Sequence, residues 1–147
     1  PAVGLDPGKL PGLVVDDAKA KLTGAWSPGR SVGPFVADGY LHDGNEAKGA
    51  KSARFEARLP GAGLYEVRLS YSANPNRAVK VPVTIEHAGG STSVEVDQQK
   101  PGPIGRLFVS LGKFRFTAGE PAAVVVSNAG TKGHVIVDAV QWVPAPQ

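Results

Sequence analysis

Hydrophobic and polar residues alternate along much of the chain with a period of two. In the stretch 52–59, Phe55 and Ala57 fall on one face, while Arg54 and Glu56 fall on the other. The same alternation returns in three later stretches, 64–71, 81–87 and 92–97. A period of two is typical of antiparallel strands that turn one face to a core and the other to water. Four half-buried strands are therefore predicted.

Further apolar stretches predict five more strands, at 13–15, 107–111, 113–117, 122–127 and 135–143. Segments rich in glycine and proline separate the strands, and residues 60–63 and 88–90 are predicted to be hairpin turns. Pro82 has no amide hydrogen to donate, so its strand is expected at a sheet edge or at a bulge. The helical pattern at residues 16–21 is barely longer than one turn.

Many short strands without helical partners predict an all-β domain, either a sandwich or a barrel. With 147 residues, the chain fits one domain that can bury a two-sheet core. Its 19 glycines and 13 prolines suit short strands joined by turns. We place the domain at residues 13–143, with residues 1–12 as a linker or extended arm and residues 144–147 as a tail.

Charge and composition argue against several classes of function. The 16 basic and 13 acidic residues give a net charge of +3, without the basic block that nucleic-acid binders carry. No apolar run is long enough to span a membrane, and no signal peptide is recognised. The lack of cysteine removes disulfides, thiolate nucleophiles and cysteine-based zinc sites. Because the chain begins at Pro1 and has no methionine, we expect it to be a segment of a larger or processed protein.

The sequence carries no motif of a known catalytic type. Serine-hydrolase elbows, HExxH zinc motifs, Walker loops and dinucleotide-binding glycine motifs are all missing. For catalysis, His42 or His134 would have to share a cleft with a carboxylate. Asp43 and Asp138 are the candidate carboxylates for that role. We expect a domain that is not an enzyme.

Asp138 interrupts the last predicted strand. Both faces of that strand are otherwise apolar, so the strand is expected to be central and Asp138 to be buried. A buried carboxylate needs hydrogen bonds, a cation or a metal ion. Asp16 and Asp17 end the first strand and would meet Asp138 if the first and last strands are neighbours. Such a trio suits a structural calcium ion, whereas the alternative is that Asp138 binds backbone amides or an arginine.

Three segments expected to be loops carry polar and aromatic side chains, at 39–45, 71–77 and 127–134. Sugar recognition uses Asn, Asp, Arg and His for contacts to hydroxyls, and an aromatic ring for the apolar face of the sugar. The candidate ligand-binding residues are Tyr40, His42, Asn45, Asn74, Asn76 and Arg77. Asn, Asp and Gly are also common turn residues, so plain turns remain the alternative. Arg77 has no role in turns, and for it the alternative is a salt bridge that pins its loop.

A series of motifs together resembles one known family. In chain order they are VDDA at 15–18, TGAWS at 23–27, GYLH at 39–42, LPGAGLYEV at 59–67, NRA at 76–78, VPVTIEHA at 81–88, VEVDQ at 94–98, SLGKFRF at 110–116 and VDAV at 137–140. These motifs are similar to those of the golvesin family, also called the xanthan-lyase carbohydrate-binding-like domain. The resemblance covers nearly all of residues 13–143, and the chain departs from it at Asp97, where asparagine is commoner.

The resemblance implies a β-sandwich of the galactose-binding or jelly-roll type. It also implies an accessory module of a secreted bacterial multidomain protein, located outside the cell or in the periplasm. The expected partners are a polysaccharide and the linked domains of the parent protein, with no nucleic acid. Carbohydrate binding that targets the parent protein is the leading hypothesis. The alternative is a structural or protein-interaction module, which an exposed apolar patch or a long unpaired edge strand near Pro82 would favour.

Overall fold

The computed structural model describes residues 4–146 and shows a β-sandwich. Two short 3-10 helices occur within these residues, at Pro7–Lys9 and Asp17–Lys19. The strands are β1 Leu13–Asp16, β2 Lys21–Thr23, β3 Ser27–Gly29, β4 Tyr40–His42, β5 Ser52–Arg58, β6 Gly63–Ser70, β7 Val81–His87, β8 Gly90–Val96, β9 Phe108–Phe116, β10 Pro121–Ser127, β11 Ile136–Val137 and β12 Ala139–Pro144. In this part of the chain, no helix has the length and apolar character needed to cross a membrane.

The strands form two large antiparallel sheets and one small one. The first sheet has the order β1-β12-β6-β9, and the second has the order β2-β5-β10-β7-β8. A third, small sheet has the order β11-β4-β3, and its strand β11 directly precedes the last strand, β12. The first and last strands are paired, with Asp16 opposite Ala139, so the predicted neighbourhood of β1 and β12 is confirmed.

The core lies between the two large sheets and follows the alternation seen in the sequence. Phe55 of the second sheet and Val67 and Trp142 of the first are fully buried in one apolar cluster. Burial alternates along β5 and β7 residue by residue, as a sheet with one covered face requires. The all-β prediction and the alternation on which it rests are confirmed.

Residues 4–12 run along the outer side of the first sheet. The backbone of Leu5 exchanges hydrogen bonds with Phe35 and Ala37, at 2.9 and 2.8 Å. The side-chain amide of Gln141 in β12 donates to the carbonyl oxygen of Pro11 at 2.7 Å. Leu10 packs on a second, smaller apolar cluster on that face. Of the predicted arm and tail, residues 1–3 and 147 lie outside the described residues.

Pro82 lies in an inner strand, so the prediction of an edge strand is wrong. β7 runs between β10 and β8. The pairing of β7 with β10 covers only residues 83–86 of β7, so Pro82 lies just outside that pairing. Its missing amide hydrogen leaves no gap in that ladder.

One of the two predicted hairpins is confirmed. Residues 88–90 close the hairpin between β7 and β8, in which His87 faces Gly90. Residues 60–63 instead connect β5 of the second sheet with β6 of the first. Four extended residues reach about 13 Å, enough to cross the roughly 10 Å between packed sheets. Buried Leu59 and Tyr65 anchor the two sides of this crossing in the core.

Two predicted strand boundaries also differ from the structure. The strand expected at 135–143 is divided at Asp138, whose carbonyl oxygen accepts from the amide of Asp17 at 2.7 Å. The chain changes sheets at this residue. The stretches expected at 107–111 and 113–117 form one continuous strand, β9. Gly112 has a φ of 125° and pairs with Val67, whereas the next residue of β6, Arg68, pairs with Ser110. Leu111 is therefore the extra residue of a bulge in β9.

The fold predicts that the core depends strongly on Trp142. We expect Trp142→Ala to lower the free energy of unfolding by about 3–5 kcal/mol, because a fully buried indole leaves a large cavity. Leu22→Ala is the matched control, because 45% of Leu22 is exposed, and it should cost no more than about 0.5 kcal/mol. Denaturant unfolding of both variants measures the difference, and equal losses would contradict this view of the core.

Candidate functional site

Three loops meet at one end of the sandwich, and they contain the segments singled out in the sequence. The amide of His134 donates to the carbonyl oxygen of Asn76 at 2.9 Å, and the amide of Ala78 donates to that of His134 at 2.9 Å. The amide of Gly133 donates to Oδ1 of Asn45 at 3.1 Å. These contacts bring the loops 43–51, 71–80 and 128–135 together. The six predicted ligand-binding residues therefore lie on this loop cluster or on the adjoining β4.

A buried carboxylate, Asp43, holds the loop cluster together. Its Oδ1 accepts from the amides of Asn45 and Val135, each at 2.9 Å. Its Oδ2 accepts from Nζ of Lys48 at 2.8 Å and from Nδ2 of Asn128 at 3.1 Å. The side chain is fully buried. Both oxygens are thus bonded, as a buried charge requires.

The electrostatics of Asp43 show that these bonds outweigh its burial. Burial alone would raise the pKa of the carboxyl group. The ammonium group of Lys48, the amides of Val135 and Asn45 and the side chain of Asn128 bring the pKa below its ordinary value. Asp43 is therefore ionised at neutral pH and acts as a fixed acceptor between two loops.

Asn128 forms the second tie between the same two loops. Its Oδ1 accepts from the amides of Gly49 and Lys51, at 2.9 and 3.2 Å. Its Nδ2 donates to Asp43 and also to the carbonyl oxygen of Glu46, at 3.1 Å. The side chain is fully buried. Its amide group therefore bonds the buried backbone groups of the irregular loop 43–51, which have no neighbouring strand to bond them.

Arg77 and Tyr40 lie beneath the surface of the loop cluster. Nε and Nη2 of Arg77 donate to the carbonyl and hydroxyl oxygens of Ser72, each at 2.9 Å. Its Nη1 donates to Oδ1 of Asn76 at 2.7 Å. The guanidinium carbon lies 5.6 Å from the ring centre of Tyr40, which fits a cation–π contact. With 5% and 4% of their surfaces exposed, these two side chains organise the loops from below.

The exposed or half-buried members of the predicted set are His42, Asn45, Asn74 and Asn76. Nδ1 of His42 accepts from the amide of Gly44 at 3.1 Å, so the proton of the neutral ring lies on Nε2. Burial, followed by the nearby His134, lowers the pKa of His42, which favours that neutral form. The rings of His42 and His134 lie 5.6 Å apart, edge to face. We call these four residues the loop surface.

The profile of the golvesin C-terminal domain family matches residues 13–144 of the chain. The chain belongs to this family. It is 37% identical, over 147 residues, to a xanthan lyase from Bacillus sp. (strain GL1). That match covers 95% of the chain but 16% of the lyase, so the golvesin domain spans a small part of this relative.

Solved structures show the same fold. The golvesin domain matches a Paenibacillus xanthan lyase with a TM-score of 0.85 and 34% identity, over 90% of this chain and 13% of the lyase. It also matches the Podospora anserina GH26-CBM35 β-(1,4)-mannanase with a TM-score of 0.66 and 17% identity, over 92% of this chain and 28% of the mannanase. At 17% identity, the second likeness shows the fold alone.

The golvesin domain also brings Asp16, Asp17 and Asp138 together, as the sequence predicts. One carboxylate oxygen from each lies within 4.8 Å of the others. Asp16 Oδ2 accepts from the amide of Ala18 at 3.2 Å, and Asp138 Oδ2 accepts from the amide of Val36 at 2.9 Å. We call these three carboxylates the acidic cluster. One backbone amide thus satisfies one of the two oxygens of Asp138, which is part of what the alternative interpretation required.

The acidic cluster has unusual electrostatics. Burial raises the pKa of Asp138 well above its usual value, and Asp17 and Asp16 raise it further against the opposing amide of Val36. The pKa of Asp17 rises to about 8, first through burial and then through the charge of Asp16. Among the described residues, no Lys, Arg or His forms an ion pair with these carboxylates. The negative charge of the cluster therefore has no protein cation to balance it.

The sequence did not reveal the organising role of three polar side chains. From the sequence, Asp43 and Asn128 belong to two of the three polar segments weighed for sugar recognition against plain turns, and Asp43 is also a candidate carboxylate for catalysis. Gln98 is fully buried, and its amide group bonds both backbone groups of Ile136, at 2.8 and 2.9 Å. The contacts that join separate segments, Asp43 with Asn128 and Gln98 with Ile136, span 85 and 38 residues of the chain, so no local spacing could have identified them.

The contacts of Asp43 predict a large stability effect. We expect Asp43→Asn to lower the free energy of unfolding at pH 7 by about 3–5 kcal/mol, because it leaves the Lys48 ammonium group without its carboxylate. Glu46→Gln is the control in the same loop. Its carboxylate is 72% exposed and pairs with Lys51, so its loss should cost no more than about 1 kcal/mol. Denaturant unfolding measures both.

The pH dependence gives the same prediction a second readout. Because folding lowers the pKa of Asp43, its contribution is present above the ordinary value of 3.8 and disappears as the pH falls further, through the folded value. The wild-type chain should therefore lose more free energy of unfolding than Asp43→Asn on acidification below pH 3.8. Parallel profiles, or a variant as stable as the wild type at pH 7, would contradict the role assigned to Asp43.

Proposed function

We propose that this golvesin domain is a non-catalytic accessory module that binds carbohydrate through the loop surface and targets a larger secreted bacterial protein to polysaccharide. The observation that carries the proposal is the convergence of His42, Asn45, Asn74 and Asn76 on a base fixed by buried hydrogen bonds. A fixed base lowers the ordering cost of binding, which matters for ligands held by a few polar contacts.

The chemistry of the loop surface suits sugar hydroxyls. A hydroxyl group both donates and accepts, and an asparagine amide carries both functions. Oδ1 of Asn76 already accepts from Arg77 and Asn74, and Oδ1 of Asn45 accepts from Gly133, so these two residues serve mainly as Nδ2 donors and Asn74 adds an Oδ1 acceptor. The neutral ring of His42 adds an Nε2 donor. Tyr40 is buried, so we assign it and Arg77 the role of holding the loops, and we expect hydrogen bonds to dominate over ring stacking. Affinity for one site should be modest, which is sufficient when the module raises the local concentration of a linked domain.

Charge favours an acidic polysaccharide. The chain has a net charge of +3, and the exposed Lys132 belongs to the loop cluster. The relatives at 37% and 34% identity are xanthan lyases, so xanthan is the first polysaccharide to test. Binding that involves such charges should weaken as salt is added.

A catalytic role finds no support in the arrangement of the candidate acids. Asp43 is fully buried and uses both oxygens for hydrogen bonds. A general acid or base must instead reach a proton of the substrate. Asp138 is also fully buried, beside other carboxylates rather than beside His42 or His134. The alternative of a protein-interaction module expected a long unpaired edge strand near Pro82, and β8, whose Glu95 lies opposite Pro82, is such a strand. The exposed residues of β8 include Ser91, Ser93 and Glu95, so this edge presents polar side chains and not an apolar patch.

Affinity gel electrophoresis of the 147-residue chain tests the proposal, at constant calcium concentration. Gels containing xanthan should retard the chain more than gels containing a neutral polysaccharide, and added salt should reduce the difference. His42→Ala and Asn74→Ala should each weaken binding about 3–10-fold, the value of one hydrogen bond. A folded chain that no polysaccharide retards would contradict the proposal.

His87→Ala is the matched control for His42→Ala. His87 ends β7, and the loop 71–80 precedes the start of the same strand. The two ends of a seven-residue strand lie about 20 Å apart. His87 is therefore remote from the loop surface, and its removal should leave the retardation unchanged. Equal losses in the two histidine variants would place binding elsewhere.

A further inference from the structure

The acidic cluster contains three buried oxygen atoms that lack a hydrogen-bond partner among the described residues. They are Asp16 Oδ1, Asp17 Oδ2 and Asp138 Oδ1. Asp138 is fully buried, and one carboxylate oxygen of each of the three residues lies within 4.8 Å of one carboxylate oxygen of each of the others. A carboxylate oxygen in such a place needs a donor or a cation.

Mutual repulsion makes the arrangement unfavourable without a positive partner. Like charges at this separation repel strongly where water is partly excluded. Asp38 adds a further negative charge near Asp16 and Asp17. The structure nonetheless pins the cluster in place, because the amide of Asp17 donates to the carbonyl oxygen of Asp138 at 2.7 Å. The backbone therefore holds the three carboxylates close together, and only a bound cation or protonation can reduce the repulsion between them.

We propose that Asp16, Asp17 and Asp138 bind one calcium ion. All three donors are hard carboxylate oxygens, which excludes a preference for metals that favour nitrogen or sulfur. Asp16 and Asp17 are only half-buried, so water can complete the coordination shell. Calcium accepts irregular shells of six to eight oxygens, whereas magnesium requires a near-ideal octahedron.

The position of the cluster gives the ion a structural role. Asp16 ends β1, Asp17 begins the following 3-10 helix, and Asp138 stands immediately before β12. Asp138 also fixes the loop at Val36 through its second oxygen. An ion here joins the first strand to the last strand at the point where the chain changes sheets. This role is independent of carbohydrate binding.

Calorimetric titration of the chelator-treated chain with calcium chloride tests the proposal. We expect one ion per chain and a melting temperature at least about 5 °C higher in 1 mM calcium than in EGTA, because an ion that binds only the folded state stabilises it. Magnesium at the same concentration should give less than half of this shift. No heat and no shift with calcium would overturn the proposal, and an equal shift with magnesium would overturn the choice of ion.

Variants separate loss of the ion from loss of the fold. Asp17→Asn and Asp138→Asn should each weaken calcium binding at least tenfold. In EGTA, Asp17→Asn should melt no lower than the wild type, because it removes repulsion. Glu120→Gln removes a charge from an exposed turn and should keep the full calcium response. A full response in Asp17→Asn would overturn the proposal, as would its loss in Glu120→Gln.

Discussion

The loop end of the domain depends on one buried charge. Asp43 has no contact with solvent, and it is ionised only because Lys48, Asn128 and two backbone amides supply four hydrogen bonds. A buried carboxylate that loses such partners is costly, so the loops from which they come are held in one arrangement. The side chains of the loop surface are therefore held in fixed positions. A site for weakly bound sugars requires this, because little free energy is then lost in ordering the side chains on binding.

A second set of polar contacts connects this end to the acidic cluster. Within five residues, from His134 to Asp138, the chain leaves the loops and enters the sheets. Asp43 accepts a hydrogen bond from the amide of Val135, and the side chain of Gln98 bonds the amide and the carbonyl oxygen of Ile136. The carboxylate of Asp138 lies beside those of Asp16 and Asp17 at the end of β1. Buried side chains thus supply the hydrogen bonds that a neighbouring strand would otherwise make to this segment. The loop surface and the proposed calcium site therefore both depend on the position of the same five residues.

The sequence predicted what depends on local pattern. Alternation revealed the strands, and one aspartate in an apolar strand led to the acidic cluster. It failed where tertiary context decides. An inner strand tolerates Pro82 because the pairing of β7 with β10 stops at Val83, and residues 60–63 cross between sheets. The burial of Tyr40 and Arg77, and the roles of Asp43 and Asn128, depend on partners distant in sequence, for which one sequence carries no signal.

The central claim is that the loop surface is where polysaccharide binds. The most direct measurement is a map of amide chemical-shift changes as a xanthan-derived oligosaccharide is added to the isotope-labelled chain. We expect the largest changes in the loops 43–51, 71–80 and 128–135, with small changes in the β7–β8 hairpin. Saturable changes that cluster elsewhere, such as between the edge strands β8 and β9, or no changes at all, would contradict the claim.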